Sequence, residues 1–124
     1  VGWGVDSNPT ATVWTALDRA TVATGCMQVV PGSHKHGVIS ERHFTSKEQL
    51  AKYAPSGSEI DLEAEAGEAI LLNNLMLHRS GVNSTGQSRR AFSIAYMDGA
   101  SRSTRTGEGY PMIFGDRALV PDLS

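Results

Sequence analysis

His78 and Arg89 are the two residues whose types and spacing most readily suggest chemistry. His78 ends the hydrophobic run 75–77, and Arg89 follows eleven residues later at the start of an apolar segment. Neutral imidazole is the commonest protein metal ligand, whereas the planar guanidinium of arginine is well shaped to bind a carboxylate. A dicarboxylate could chelate a metal held by His78 at one end and bind Arg89 at the other. The segment therefore predicts a metal site with a carboxylate-bearing cosubstrate.

This site depends on the arrangement of two predicted strands, 75–78 and 89–96. If they are adjacent and antiparallel, the loop between them brings Arg89 back near His78. The two-residue period of a strand turns Arg90 to the opposite face, toward solvent or a surface ion pair. Ser80 and Asn83 add a hydroxyl and an amide to the same segment. A purely structural interpretation, with His78 buried and Arg89 in an ion pair, stays open.

Length and composition indicate one small globular domain. The chain has 124 residues, 40% of them hydrophobic and 19% charged, with a formal net charge of −2. The charge gives no support to a nucleic-acid partner or an anionic membrane surface, and no apolar run is long enough for a membrane span. The lone cysteine, Cys26, lies in a predicted buried strand and favours a structural thiol in a reducing compartment. We therefore expect a cytoplasmic protein.

Short strands dominate the predicted organisation. β-branched, aromatic and alternating patterns predict strands at 10–17, 26–30, 59–63, 69–72, 75–78 and 90–97. Residues 45–53 form a helix pattern with a Thr or Ser cap, and Pro55 prevents its extension. Pro31-Gly32 predicts a tight turn, and residues after Asp98 form a loop-rich tail. This order favours an antiparallel sandwich or jelly roll over a parallel α/β fold.

Several segments, in this order, resemble the phytanoyl-CoA dioxygenase family. They are Trp14-Thr15-Ala16-Leu17-Asp18, the stretch 24–35 containing Pro31-Gly32-Ser33-His34, and His78-Arg79-Ser80-Gly81-Val82-Asn83 with Arg89-Arg90-Ala91. The resemblance implies a mainly β, double-stranded β-helix (jelly-roll) fold. It also implies an Fe(II)- and 2-oxoglutarate-dependent dioxygenase that uses dioxygen to hydroxylate a small organic substrate, whose identity the sequence does not reveal.

The resemblance also implies roles for individual residues. His78 corresponds to the distal histidine of the two-His-one-carboxylate iron site, and Arg89 to the residue that binds the remote carboxylate of 2-oxoglutarate. Ser80 would add a hydroxyl contact to that carboxylate, and Trp14 would line the cosubstrate or substrate pocket. His34 belongs to a structural turn beside the mouth of the site and is not an iron ligand.

The chain departs from the family pattern at the other two iron ligands. The family places a His-x-Asp motif upstream of the Trp14 strand, but the nearest candidate here is Gly4-Val5-Asp6, which has glycine in place of histidine.

Because the sequence starts with Val1 rather than Met, we expect that the motif precedes residue 1. We therefore predict that residues 1–124 form a single, incomplete jelly-roll oxygenase domain that is inactive by itself. Asp6 is then a polar loop residue.

Two alternative functions stay open. A related 2-oxoglutarate-dependent halogenase has a small residue in place of the metal-binding aspartate, and a non-catalytic jelly-roll module could bind an anion without iron.

The other histidines, His34, His36 and His43, could suggest a zinc site, but the segment has no cysteines and no recognised ligand spacing. A solvated loop is the favoured interpretation of His36 and His43.

Overall fold

The part of the chain that the structure describes contains six short strands, one α-helix and one 3₁₀ helix. The computed structural model describes residues 3–40, 44–115 and 118–119. Its elements in chain order are β1 (Ala11–Ala16), β2 (Met27–Val29), a 3₁₀ helix (Ser33–His36), α1 (Lys47–Tyr53), β3 (Ile60–Leu62), β4 (Ala69–Asn73), β5 (His78–Ser80) and β6 (Ala91–Tyr96). The prediction of a mainly β chain with one short α-helix is confirmed.

The strands form two antiparallel sheets of three strands each. One sheet has the order β4-β1-β6 and the other β3-β2-β5, so β1 and β2 are the central strands. Side chains alternate between the two faces of each strand, so every second side chain points toward the other sheet. Trp14 and Ala16 from β1, Met27 and Val29 from β2, and Leu72 from β4 belong to one buried cluster. This shared core joins the inner faces of the two sheets.

Local signals explain where several elements begin. Ser46 caps α1: its hydroxyl accepts the backbone N–H of Gln49, whose side chain in turn accepts the backbone N–H of Ser46. This reciprocal pair satisfies two of the N–H groups left free at a helix start. Gly32, in the predicted Pro-Gly turn, has φ 79° and ψ −7°, a conformation that glycine adopts without steric cost. The 3₁₀ helix that follows it was not predicted.

The predicted strand at 75–78 is wrong, because the chain turns there instead. The side chain of Asn73 accepts the backbone N–H of Leu75 at 2.9 Å, and its carbonyl accepts the N–H of Met76 at 2.9 Å. An asparagine that bonds to the backbone two residues ahead forms a turn in place of a sheet ladder. The strand starts only at His78, after the chain has crossed from one sheet to the other.

The described residues after 98 are loop-rich, as predicted, and one of them, Arg102, contacts Asp6 near the start of the chain. The backbone N–H of Asp6 donates to the carbonyl of Arg102 at 3.0 Å, and a carboxylate oxygen of Asp6 accepts the N–H of Arg102 at 2.8 Å. Asp6 is thus a hydrogen-bonded loop residue, in agreement with its interpretation from the sequence. Among the described residues, no helix has the length and hydrophobicity needed to cross a membrane.

Candidate active site

His78 is the first residue of β5 and presents one ring nitrogen for binding. It pairs with Val29 of β2, so its side chain belongs to the inner face of that sheet, on the side of the buried Val29. Its Nδ1 lies 2.8 Å from the carbonyl oxygen of Met76. Because a carbonyl can only accept, the proton is assigned to Nδ1 and the lone pair to Nε2. His78 is exposed, and Nε2 is therefore accessible to a metal ion.

Ser80 lies on the same face of β5 as His78. It pairs with the buried Met27, two residues along the strand from the His78 position. Arg79, between them, points to the outer face, where its Nε donates to the side-chain oxygen of Gln28 at 2.8 Å and its Nη2 lies 3.4 Å from Glu59. The strand thus separates the two candidate site residues from an outer polar network.

Arg89 is partly buried, and it has neither a hydrogen-bond nor an ion-pair partner among the residues that the structure describes. It precedes β6 by two residues, so strand alternation places it on the face of Ala91, which packs against the core. A guanidinium without an internal acid is available to an external carboxylate. Binding of a cosubstrate carboxylate by Arg89 stays a prediction, and this environment is compatible with it.

Arg90 has the opposite environment. Its Nε and Nη2 each lie 2.9 Å from one carboxylate oxygen of Asp18. The pKa of Asp18 is lowered to about 2, first by the hydrogen bond from the Arg90 side chain and then by the one from the Arg90 backbone. The predicted surface ion pair of Arg90 is confirmed.

The predicted pairing of the strands that carry His78 and Arg89 is wrong. β5 pairs with β2, whereas β6 pairs with β1 in the other sheet. The physical reason is that the chain changes sheets between β5 and β6. Asn83 organises that crossing: its side chain accepts the N–H of Thr85 at 3.0 Å and donates to the carbonyl of Gln87 at 2.7 Å. His78 and Arg89 therefore belong to the facing sides of two sheets, not to neighbouring strands.

Trp14 lies in the centre of β1, on the inner face of its sheet. Its side chain is in the buried cluster with a relative exposure of 8%, and its cross-strand partners are Ile70 and Ser93. The structure thus places Trp14 between the sheets, on the side of Arg89. Its contact with a cosubstrate or substrate stays a prediction.

Two glycines allow the backbone to pass closely beside β5. A Cβ added to Gly25 would lie 2.5 Å from the carbonyl oxygen of Gly81, and Gly25 also has φ +78°. The N–H of Gly81 donates to the carbonyl of Cys26 at 2.9 Å. This close approach fixes the backbone at the point where it leaves β5 after Ser80.

The histidines of the 33–58 segment differ from one another. His34 lies in the 3₁₀ helix, and its buried Nδ1 has no hydrogen-bond partner within the described residues. His36 is exposed, with its ring centroid 5.0 Å from that of Tyr53. His43 lies outside the described residues. Nothing in the described part of the chain brings three or more potential metal ligands together.

Cys26 is a free, buried thiol. Burial raises its pKa above the ordinary value, and the nearby carboxylates of Asp61 and Glu63 raise it further. Because the thiolate is the reactive form, these surroundings favour the predicted structural role.

Ser33 was missed by sequence reasoning as a residue of this site. Its side chain has a relative exposure of 2%, and its hydroxyl accepts the backbone N–H of Leu77 at 2.8 Å. The partners are 44 residues apart, so no local pattern could indicate the contact. The only available signal was the position of Ser33 directly after the Pro31-Gly32 turn.

The described residues fit one part of an iron and 2-oxoglutarate site. His78 offers an imidazole nitrogen and Ser80 a hydroxyl on the same face. Arg89, just before β6 of the other sheet, offers a guanidinium that has no partner among the described residues. These three residues therefore supply an imidazole, a hydroxyl and a guanidinium, which are group types that can bind a metal and a carboxylate.

Sequence comparison identifies the family. Residues 3–91 match the family described as phytanoyl-CoA dioxygenase (PhyH), and the chain belongs to that family. It is 34% identical over 91 residues to a "Probable phytanoyl-CoA dioxygenase" of Caenorhabditis elegans, which covers 67% of this chain and 29% of the relative. It is 30% identical over 98 residues to "Phytanoyl-CoA dioxygenase, peroxisomal" of Mus musculus, covering 73% and 29%. The chain thus spans less than a third of both relatives.

Solved structures show the same fold. A non-heme alpha ketoglutarate dependent carbocyclase from nogalamycin biosynthesis, SnoK, has a TM-score of 0.69 and 26% identity, covering 93% of this chain and 50% of its own. The epimerase SnoN, in complex with Fe³⁺, alpha ketoglutarate and nogalamycin RO, has a TM-score of 0.58 and 26% identity, covering 92% and 48%. The names of these two structures show that similar folds accompany different reactions.

Proposed function

We propose that the protein containing this chain is an Fe(II)- and 2-oxoglutarate-dependent dioxygenase that hydroxylates a small organic substrate. The observation that carries the proposal is that His78 presents Nε2 from one sheet, while Arg89, which precedes β6 of the other sheet, has no hydrogen-bond or ion-pair partner among the described residues. Membership of the phytanoyl-CoA dioxygenase family supports it. The named reactions of the relatives differ, so the substrate within this class is not specified.

The residues of this chain have distinct roles in the proposed reaction. His78 binds the iron through Nε2 while Met76 holds its other nitrogen, a second contact that orients the ring. Arg89 binds the remote carboxylate of 2-oxoglutarate, and Ser80 adds a hydroxyl contact to it. Trp14 lines the cosubstrate or substrate pocket. A bound iron would bring dioxygen, the oxidant, together with 2-oxoglutarate, which is oxidised to succinate and carbon dioxide as the substrate C–H bond is hydroxylated.

The remaining iron ligands are proposed to lie before residue 1 in the full-length protein. His-x-Asp there supports a hydroxylase, whereas His-x-Gly or His-x-Ala supports the halogenase alternative, since a small residue leaves room for chloride. If neither is present, a binding module becomes the better interpretation. The sequence encoded directly upstream of Val1 distinguishes the three.

Turnover of 2-oxoglutarate by the full-length protein tests the proposal. We expect succinate formation that requires Fe(II), stops with a chelator, and is lost in His78→Ala. His36→Ala is the matched control, because it removes an exposed imidazole that is not among the proposed site residues, and it should keep wild-type turnover. Absence of iron-dependent succinate formation in the wild type, or full turnover in His78→Ala, would contradict the proposal.

We also propose a cytoplasmic location, which the free and buried Cys26 supports. The name of the mouse relative includes the word peroxisomal, so the peroxisome is the specific alternative. Fluorescence microscopy of the full-length protein, tagged at either end in turn, distinguishes the two compartments.

A further inference from the structure

A hydrogen-bonded chain links the buried hydroxyl of Ser33 to the imidazole of His78. The Ser33 hydroxyl accepts the N–H of Leu77 at 2.8 Å, and the carbonyl of Met76 accepts from Nδ1 of His78 at 2.8 Å. The carbonyl of Met76 and the N–H of Leu77 belong to one peptide unit. Because that unit is planar and trans, its N–H and C=O point in opposite directions. The hydrogen bond from the Leu77 N–H to Ser33 therefore also orients the Met76 carbonyl toward His78.

Neighbouring contacts hold the same segment without replacing this link. The N–H of Val30 donates to the carbonyl of Leu77 at 2.9 Å, and the N–H of Met76 donates to the carbonyl of Asn73 at 2.9 Å. These bonds engage the peptide units on either side. Among the described residues, the Ser33 hydroxyl alone accepts the N–H of Leu77, which belongs to the peptide whose carbonyl faces His78.

We propose that Ser33 is a positioning residue that selects the Nδ1–H tautomer of His78 and thereby keeps Nε2 free to bind metal. The buried Ser33 hydroxyl holds the Met76–Leu77 peptide in one orientation, and linked hydrogen bonds polarise one another. The oriented carbonyl stabilises the proton on Nδ1. The first residue of the 3₁₀ helix thus contributes to the metal site without touching the metal. The metal-binding consequence rests on the proposed function, but the tautomer does not.

The test measures the tautomer in the metal-free, full-length protein by ¹⁵N NMR of the histidine side chains, with the His78 signals assigned by their loss in His78→Gln. We expect the proton on Nδ1 in the wild type and a substantial Nε2–H population in Ser33→Ala. Ser33→Thr keeps the hydroxyl and should retain the wild-type tautomer. Ser101→Ala is the matched control: Ser101 is also buried, with 3% exposure, but its hydroxyl has no partner within the described residues. It should leave the tautomer unchanged.

Metal binding is the second measurement. We expect Ser33→Ala to weaken the affinity for Fe(II), measured anaerobically, by about 10-fold, the lower end of the range for loss of a contact behind a ligand. If Ser33→Ala does not fold, Ser33→Cys, with a weaker acceptor of similar size, takes its place in both measurements. An unchanged tautomer in a folded Ser33→Ala or Ser33→Cys protein would overturn the proposal. A changed tautomer without iron binding in the wild type would support the positioning role and contradict the proposed oxygenase function.

Discussion

Arg90 holds Asp18 through its backbone as well as its side chain: the N–H of Arg90 donates to a carboxylate oxygen of Asp18 at 2.7 Å. This contact fixes the chain at the entry to β6. Strand alternation then separates the consecutive arginines, with Arg90 on the surface and Arg89 on the face toward the core. Of these two adjacent arginines, Arg90 is therefore paired with Asp18, whereas Arg89 has no partner among the described residues.

Arg89→Ala should raise the KM for 2-oxoglutarate in the full-length protein by about 10- to 100-fold, because a charge-assisted hydrogen bond contributes roughly 1.5–3 kcal/mol. Arg90→Ala is the matched control, since it removes the same side chain from the other face and keeps the backbone contact to Asp18. It should change this KM little. Steady-state kinetics at saturating iron measure both, and equal effects would contradict the assignment of the two faces.

The 124-residue chain by itself should bind Fe(II) weakly and should not turn over 2-oxoglutarate. The described residues offer the His78 imidazole and no group of three potential ligands, whereas the facial triad of such enzymes uses three protein ligands. Anaerobic calorimetry and a succinate assay check these two expectations. Robust decarboxylation by the isolated chain would show that the metal is held in another way.

The sequence predicted most elements because their local signals agree. Trp14 lies in a β-branched, alternating run, and Ser46 with Gln49 forms a capping box, so β1 and α1 have nearly their predicted bounds. The face of Arg90 could also be predicted, since strand alternation is a local property. Its partner Asp18, 72 residues away, could not.

The errors arose where long-range contacts decide the structure. His78 was expected beside Arg89 because consecutive strands often pair, but the turn at Asn73 and the crossing at Asn83 move β5 into the other sheet. The Ser33 hydroxyl was missed for a related reason. The Ser33 hydroxyl matters because it accepts the N–H of Leu77. The spacing of these two residues in the sequence does not indicate that contact.

Asp18→Asn should destabilise the protein near neutral pH and have little effect near pH 2. The pKa of Asp18 is about 2 in the folded protein, below its ordinary value of 3.8, so folding favours the ionised form. The resulting stabilisation is present above about pH 4 and is lost as the pH falls through about 2. Because the Arg90 side chain is largely exposed, the effect should be modest and should decrease with salt.

Denaturant unfolding of wild type and Asp18→Asn across this pH range measures the difference. We expect the two unfolding free energies to converge as the pH decreases. A difference that stays constant down to about pH 2 would mean that Asp18 stabilises the fold through something other than its charge.

Gly25→Ala should be the most destabilising of the glycine substitutions near β5. The added methyl would meet the carbonyl oxygen of Gly81 at 2.5 Å, and the residue would also have to adopt φ +78°. Gly57→Ala is the matched control, because Gly57 has φ +83° but open space around its Cβ position. The control isolates the backbone cost of about 1–2 kcal/mol, and the clash at Gly25 should add roughly 1–3 kcal/mol more. Comparison of the two unfolding free energies measures the clash, and equal losses would show that β2 and β5 are not held this closely in solution.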